Sequence, residues 1–528
     1  ARPRGGKRVY FVVAAIRRIM RRQQKGTPVA QVSIARAKAP FVLTYDVGTS
    51  SVRALLYDAR AEPIADMVAQ IAHEMTTTAD GGVFCDVGPL ADRTAQVIDQ
   101  VLAAAGEHAA KIGAVASDTF WHTLLGIDQS GAPITPLYTW ADTRSDGAAT
   151  SLRHRLNERD VHRRTGCMIH PMYLPAKLLW LSESESETFG RVAHWLSFAE
   201  YFMLQCCGER ACSLSMASGT GLLNLNDRKW DRDMLAALPI EEEQLSPLRD
   251  LDAPMTGLVS RYAERWPTLA KVPWYLSIGD GAASNLGSGG VDGSRIAVNA
   301  GTSTAMRLVL RADAVAVPDG LWAYRVDGRH FVVGGAESNG GNVWAWLNER
   351  LRLDDDEEAA RAVAAVPPDG HGLTVLPFLA GERSPGYNAG ARGAVSGLRL
   401  DTTAAEIARA FLEAMTYRLG FMYRIIAVSY PNAKEIIISG AALLHSPTWM
   451  QMLADVLGQP LIVSEEAEAT SRGAALVALA QLGVIASWAE APVVLGRTIS
   501  PDMAAHATYQ AAMERQQGLY GLLVPPRE

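Results

Sequence analysis

A chain of 528 residues is too long for one hydrophobic core and implies two or more domains. With 48% apolar and 20% charged residues it reads as a globular, soluble protein rather than a disordered one. The net charge of −6 is uneven: residues 1–40 hold eleven Lys or Arg and no acid, so the remainder stands near −17, which disfavours nucleic-acid binding. No run reaches the roughly 18 apolar residues of a membrane span.

In chain order, the first feature is the basic leader, residues 1–40. Its apolar run Val9–Ile16 is followed by Arg17, Arg18, Arg21 and Arg22 instead of a small-residue cleavage site. The leader is read as an upstream extension, disordered or removed, with organellar import left open; the body is expected in the cytoplasm. Five cysteines (Cys85, Cys167, Cys206, Cys207 and Cys212) are odd in number and complete no metal-ligand spacing, as expected of reduced thiols.

Strands are expected at 41–45, 52–57 and 64–71, a helix at 90–105 and a strand at 112–117. Three antiparallel strands followed by α/β crossovers is the order of a ribonuclease-H-like fold. A loop spans 140–147, and helices follow at 175–187 and 197–206. The glycine-dense run Gly279 to Gly290 marks a domain boundary. Beyond it the theme repeats, with strands from 296 to 333, helices at 342–351 and 403–427, a strand at 435–439, a helix at 447–457, a strand at 461–463 and a helix at 471–482. The acidic run 354–358 is a solvated helix start. The expected domains are 41–289 and 290–490, with 491–528 as a C-terminal tail.

Two segments rhyme across the halves. Asp46-Val-Gly-Thr-Ser-Ser51 and Asn299-Ala-Gly-Thr-Ser-Thr304 each join two apolar strands through a Gly-Thr-Ser turn. Such turns let backbone N–H groups and hydroxyls hold phosphate oxygens. Thr49, Ser50, Ser51, Gly301 and Thr302 are therefore candidate nucleotide contacts. Arg53 adds a cation, and Asp46 is a carboxylate suited to Mg²⁺. Gly440-Ala-Ala-Leu-Leu-His445 follows a strand and precedes a helix, the position of a nucleotide site or of a plain connecting loop. Gly440, Ala441 and His445 are its candidates. Asp280, between two glycines at the boundary, is read either as a general base for a hydroxyl or as a helix cap. Trp121, His122, Trp140, Asp142 and Arg144 form the mixture of aromatic, acidic and basic groups that binds polyols and sugar acids. A surface ion pair for Asp142 and Arg144, and a core position for His122, are the alternatives.

The set of motifs, from Phe41 to about Leu482, resembles the FGGY family of carbohydrate kinases. Asp46–Arg53 is similar to its first phosphate motif, Trp140–Arg144 to its substrate-side motif, and Gly279-Asp280 to its catalytic-base motif. Asn299–Ser303 is similar to its second phosphate motif, and Gly340-Gly341 before Trp344-Ala-Trp-Leu347 to its nucleotide helix, which adds Gly341. Pro377-Phe-Leu-Ala-Gly-Glu-Arg-Ser-Pro385, Gly440 through Trp449 and Glu468–Ala474 are similar to its later signatures. The resemblance implies an α/β protein of two ribonuclease-H-like, actin-like ATPase domains around a central cleft. It implies ATP and Mg²⁺ as cofactors, a small sugar or sugar acid as partner, and Asp280 as the base. Ala441 replaces a glycine usual in the family, and its methyl group is expected to crowd the nucleotide.

Within the family, His122–Gly126, Thr139–Ser145, Arg164–Tyr173 and Gly334–Gly341 most resemble the gluconate kinases, although Glu337 stands where a neutral residue is expected. The resemblance implies conversion of D-gluconate to 6-phosphogluconate, with xylulose, ribulose or another polyol as alternative substrates. An actin-like ATPase switch without a small acceptor is the reading from another class. A homodimer is among the assemblies the sequence leaves open.

Overall fold

The computed structural model describes residues 31–525 apart from Arg352, Asp354 and Asp355. The leader up to residue 30 and part of the acidic run at 354–358 lie outside the described residues.

The first half is built on a five-stranded sheet: β1 (Phe41–Val47), β2 (Ser51–Tyr57), β3 (Pro63–Ala72), β4 (Ile112–Thr119) and β5 (Ile278–Gly279), in the order β5-β4-β1-β2-β3. β1, β2 and β3 are antiparallel, while β4 and β5 run parallel to β1. β1 is buried along almost its whole length because it is central and covered on both faces. β3 alternates buried and exposed positions over its second half, as an edge strand with one wet face does.

The second half holds β6 (Arg295–Ala300), β7 (Thr304–Arg311), β8 (Trp322–Arg325), β9 (His330–Glu337), β10 (Glu435–Ser439), β11 (Leu461–Ser464) and β12 (Leu495–Ile499). Their order is β8-β9-β7-β6-β10-β11-β12. Here β6, β7 and β9 are antiparallel, and β10 and β11 are parallel to β6. The strand plan of the first sheet is thus repeated, and each half has its own extensive apolar core. The two-domain α/β architecture expected from the sequence is the one observed.

Seven helices matter to the site and its frame: α1 (Val87–Ala105), α2 (Asp280–Gly287), α3 (Gly341–Leu351), α4 (Ala404–Ser429), α5 (Ala441–Leu444), α6 (Ala469–Gln481) and α7 (Met503–Leu523). The packing adds three facts to the boundaries drawn from the sequence. First, α6 packs into the core of the first domain, not the second, with Ala474, Leu476, Val477 and Leu479 buried there. Small residues make this possible. A Cβ on Gly473 would stand 2.6 Å from the Ala283 carbonyl carbon, and one on Gly287 the same distance from that of Ala469. Arg472 fixes the crossing by donating to the Gly287 carbonyl at 2.6 Å and the Ala61 carbonyl at 3.3 Å.

Second, residues 491–525 are not a tail. β12 extends the second sheet, and α7, capped by Asp502, buries Tyr509 and Met513 completely. Five alanines and three glutamines among the 21 residues of α7 hid this docking, because they weaken the apolar stripe that marks an amphipathic helix. Third, residues 31–40 are not disordered. The Val32 N–H donates to Pro63 O at 3.1 Å, and the Ala65 N–H donates to Val32 O at 2.9 Å, so the segment lines the edge of β3. A single buried valine in a polar stretch gave no periodic signal. Among the described residues no helix is long and apolar enough to cross a membrane.

Candidate active site

The three carboxylates of the cleft arise from strand register. β1 and β4 are parallel, with Asp46 opposite Asp118, and β5 pairs Ile278 with Asp118 on the other flank. Asp280 follows β5 directly as the first residue of α2. Asp46, Asp118 and Asp280 therefore lie at the C-terminal ends of three neighbouring parallel strands, where open α/β sheets place their ligands. The sequence reading missed Asp118. It sits inside an ordinary-looking strand, and only the register brings it to Asp46.

Burial raises the pKa of all three. For Asp46 it outweighs the nearby Arg53 guanidinium and moves the group up to about 6. Asp118 is raised by burial and then by the charges of Asp46 and Asp280. Asp280 is raised by burial, against the opposing pull of Arg307 first and of Arg383 more weakly. Asp280 accepts the Gly281 N–H at 2.8 Å, but the cap position of α2 belongs to Gly279 and Asp280 is the first helical residue, so the helix-cap reading does not hold.

Both neighbours of Asp280 are glycines because Trp121 lies against them. A Cβ on Gly279 would fall inside the indole ring, and one on Gly281 would stand 2.7 Å from Cζ3 of Trp121 and 3.0 Å from Nε of Arg307. Trp121 is buried, donates its indole N–H to Ser215 O at 3.0 Å and packs edge-on against Tyr324. It is a platform beneath Asp280. His122, at φ +62°, is also buried; its Nδ1 bonds to Gly219 O, and burial pushes its pKa down to about 3. Edge contacts with Tyr173 and Tyr324 complete its cage.

Arg144 and Asp142 form a bidentate pair, with Nε to Oδ1 at 3.1 Å and Nη2 to Oδ2 at 2.6 Å. The guanidinium also stacks 4.6 Å from the Trp180 ring centroid. The pair is an interior one, since Asp142 is 2% exposed, and not the surface bridge weighed from the sequence. Lys177, fully buried, lies in the field of Asp142, and burial lowers its pKa to about 7.

Two second-domain cations act on Asp280, Arg307 first and Arg383 more weakly; of the two, Arg383 also acts on His122, and it lies 5.7 Å from the Trp140 ring centroid. Among the described residues it has no ion-pair partner. It was overlooked as a site residue although it stands in the Gly381-Glu-Arg-Ser-Pro385 motif. Glu337 is buried beside Arg418, which also pairs with Glu382; burial raises Glu337 to about 8.

On the nucleotide side the loops converge. Gly301 closes its turn by donating to Ser303 O at 3.0 Å, and Gly341 donates to Gly301 O at 2.9 Å. A Cβ on Gly341 would stand 2.7 Å from Gly301 O and 3.1 Å from the Ala442 methyl carbon. Gly440, at φ +92°, presses on the Ala300 backbone, which no side chain would permit. The hairpin tips Thr49, Ser50 and Thr302 are exposed, and Ser51 is half-buried. Arg53 pairs with Glu468 at 2.9 Å. His445 is exposed and bonds through Nδ1 to Ala441 O at 2.7 Å, at the C-terminal cap of the short helix α5.

A second acidic and histidine cluster, Asp369, His371 and Glu413, lies away from these loops. Glu413 there accepts from Arg409, His371, Tyr417 and Tyr509, so its charge is satisfied by protein donors and ties α4 to α7.

Comparison with known proteins bears on this arrangement directly. Residues 41–287 match the model of the FGGY carbohydrate kinase N-terminal domain, and residues 296–482 that of the C-terminal domain. This chain belongs to the FGGY family of carbohydrate kinases. The FGGY kinase described here is 27% identical over 474 residues to a gluconokinase of Bacillus subtilis, with 87% of this chain and 91% of that protein covered. It is 30% identical over 475 residues to a glycerol kinase of Leptothrix cholodnii, covering 84% and 91%. Among solved structures, a xylulose kinase from Lactobacillus acidophilus superposes with a TM-score of 0.83 at 26% identity, covering 92% of this chain and 98% of that one. A gluconate kinase from the same organism gives 0.82 at 25%, with the same coverage. This FGGY kinase is a phosphotransferase acting on a carbohydrate hydroxyl, and kinases of the family use ATP as phosphate donor.

Proposed function

We propose that this kinase phosphorylates a sugar acid, D-gluconate, on its terminal hydroxyl to give 6-phosphogluconate. The observation that carries the substrate class is the cationic side of the cleft. Arg383 stacks near Trp140 without an ion-pair partner among the described residues, facing Asp280. A guanidinium so placed suits a carboxylate, whereas a neutral polyol would leave it unanswered. The gluconokinase relative supports this reading. The xylulose and glycerol kinase relatives support a neutral substrate as the second reading.

In the proposed reaction, Asp280 takes the proton of the attacking hydroxyl. That oxygen forms a bond to the γ-phosphorus of ATP as the bond to the β–γ bridging oxygen breaks, and ADP leaves. Burial suits Asp280 to this task, because a raised pKa makes a stronger base. Arg307, buried beside Asp280, helps hold that ionised form. The Gly48–Ser51 and Gly301–Ser303 turns would cradle the phosphates from opposite domains, while Gly341, Gly440 and Ala441 flank the nucleoside. Most of the acceleration then comes from positioning and from neutralising phosphate charge.

Asp46 fits a Mg²⁺ role, since a carboxylate is a hard oxygen ligand and the Asp118 oxygens beside it lack protein donors. When bound, the ion would neutralise charge on the phosphate oxygens.

An ADP-release assay on gluconate, xylulose, ribulose, glycerol and erythritol tests the substrate. Gluconate should have the highest kcat/KM, and Arg383→Ala should weaken gluconate roughly tenfold or more beyond any effect on a neutral polyol, as expected for a charge-assisted contact. A higher kcat/KM for a ketopentose, or equal losses for both classes in Arg383→Ala, refutes the aldonate assignment. ADP release that no member of the panel accelerates would favour the ATPase-switch reading.

A further inference from the structure

Asp118 is a buried polar group to which the chemistry above gives no role of its own. It is 0% exposed, and neither Oδ1 nor Oδ2 accepts a hydrogen bond from a protein donor. Buried carboxylates are normally paired or heavily hydrogen-bonded. The surrounding guanidinium groups do not pair with it. Arg53 gives Nη1 to Glu468, and Arg307 sits on the Asp280 side, next to Gly281. Asp118 instead faces Asp46, its register partner across β1 and β4. The two carboxyls are close enough to share a proton, which eases their repulsion in the absence of a cation; when both are ionised they repel unless a positive charge lies between or above them.

We propose that Asp118 and Asp46 together form the protein's half of a divalent-cation site at the base of the first phosphate turn. The two supply oxygen ligands of the kind that Mg²⁺ and Mn²⁺ prefer. The phosphates of ATP and water would complete the shell. The Gly48–Ser51 turn begins two residues after Asp46, so an ion held by the pair lies where the polyphosphate arrives. Asp280, just after the third strand at the start of α2, is left to handle the proton. The proposal rests on the Mg²⁺ part of the functional reading and adds Asp118 to it.

The test is Mn²⁺ binding to the nucleotide-free, full-length protein, followed by electron paramagnetic resonance of the free ion and by calorimetry. Wild type, Asp46→Asn, Asp118→Asn and Asp280→Asn are compared, each checked for folding by circular dichroism and thermal unfolding. Wild type should bind one Mn²⁺. Asp46→Asn and Asp118→Asn should each weaken it about tenfold or more, and Asp280→Asn by less than threefold. Metal-free Asp118→Asn should melt no lower than wild type, because the mutation removes a like-charge contact. Mn²⁺ affinity within twofold of wild type in folded Asp118→Asn overturns the proposal, as does wild type that binds no Mn²⁺. If Asp118→Asn fails to fold, Asp118→Ser is read by the same criteria. Loss of the proposal leaves kinase turnover on the substrate panel untouched, so the two readings fail separately.

Discussion

Gly279→Ala places one methyl group where the structure has no room for it. The added Cβ would overlap the ring of Trp121, which cannot yield easily: it is 4% exposed, donates its N–H to Ser215 O at 3.0 Å and is wedged against Tyr324 at a centroid separation of 4.8 Å. Overpacking of this kind costs about 1–3 kcal/mol. The larger effect falls on catalysis, because the only other way to relieve the clash is to shift the 279–281 backbone and with it Asp280. A displacement of about 1 Å in a group that must meet a hydroxyl costs roughly 10²-fold in rate. The expected result is a kcat about 100-fold below wild type in the coupled ADP-release assay, with a lowered midpoint of thermal unfolding. Gly147→Ala is the control. Its added Cβ meets nothing within 4 Å, it lies in a helix, and it should leave kcat unchanged while matching or raising stability. If Gly279→Ala keeps more than a third of wild-type kcat, the idea that Trp121 fixes the height of Asp280 in the cleft is wrong.

Asp280→Asn should leave ATP and sugar binding nearly intact and lower kcat about 10²–10⁴-fold. In wild type, kcat/KM should fall with acid through a pKa above the ordinary value of 3.8, because burial raises this carboxyl and protonation removes the base; an acid limb at or below that value, or turnover above a tenth of wild type in the variant, counts against Asp280. Glu337→Gln tests a buried acid whose folded pKa of about 8 exceeds its ordinary 4.5. The fold favours the protonated form, so the stability it contributes is full below pH 4.5 and is lost as pH rises towards 8. The variant should gain melting temperature relative to wild type at pH 8.5 and little at pH 5; an equal change at both values refutes the assignment. Ala441→Gly should tighten ATP binding by at most about 1 kcal/mol if its methyl group crowds the nucleotide, and unchanged affinity would mean this loop does not touch adenosine. A chain starting at residue 39 should be about 1–3 kcal/mol less stable to urea than one starting at residue 31, since it loses the two Val32 backbone bonds, the buried Val32 side chain and the Lys38 contacts with Asp58 and Ala59; identical midpoints would show that this segment adds nothing.

The repeated Gly-Thr-Ser turns, the glycine run around Asp280 and the strand–turn–helix at Gly440 were legible in the sequence because each is a local device. A tight turn or a close backbone approach demands small residues at fixed positions whatever surrounds it. The same holds for the strands, whose apolar runs show how many faces are covered. From these the doubled α/β plan could be read directly, with the small-residue loops and Asp280 as candidates for the site, and the motif that holds Arg383 was visible too. What the sequence could not carry was anything decided between elements distant in the chain. Asp118 becomes part of the cleft through parallel register with Asp46, 72 positions away. Trp121 becomes a support through contact with Gly279, and the Asp142–Arg144 pair becomes an interior one where the guanidinium packs on Trp180. Helix α6 joins the first domain, although it is reached only after nearly all of the second, because glycines and alanines on two helices match in space. Side-chain identity along one segment records what that segment needs of its own backbone, whereas pairing, burial and charge neutralisation are set by partners that only the folded chain brings near.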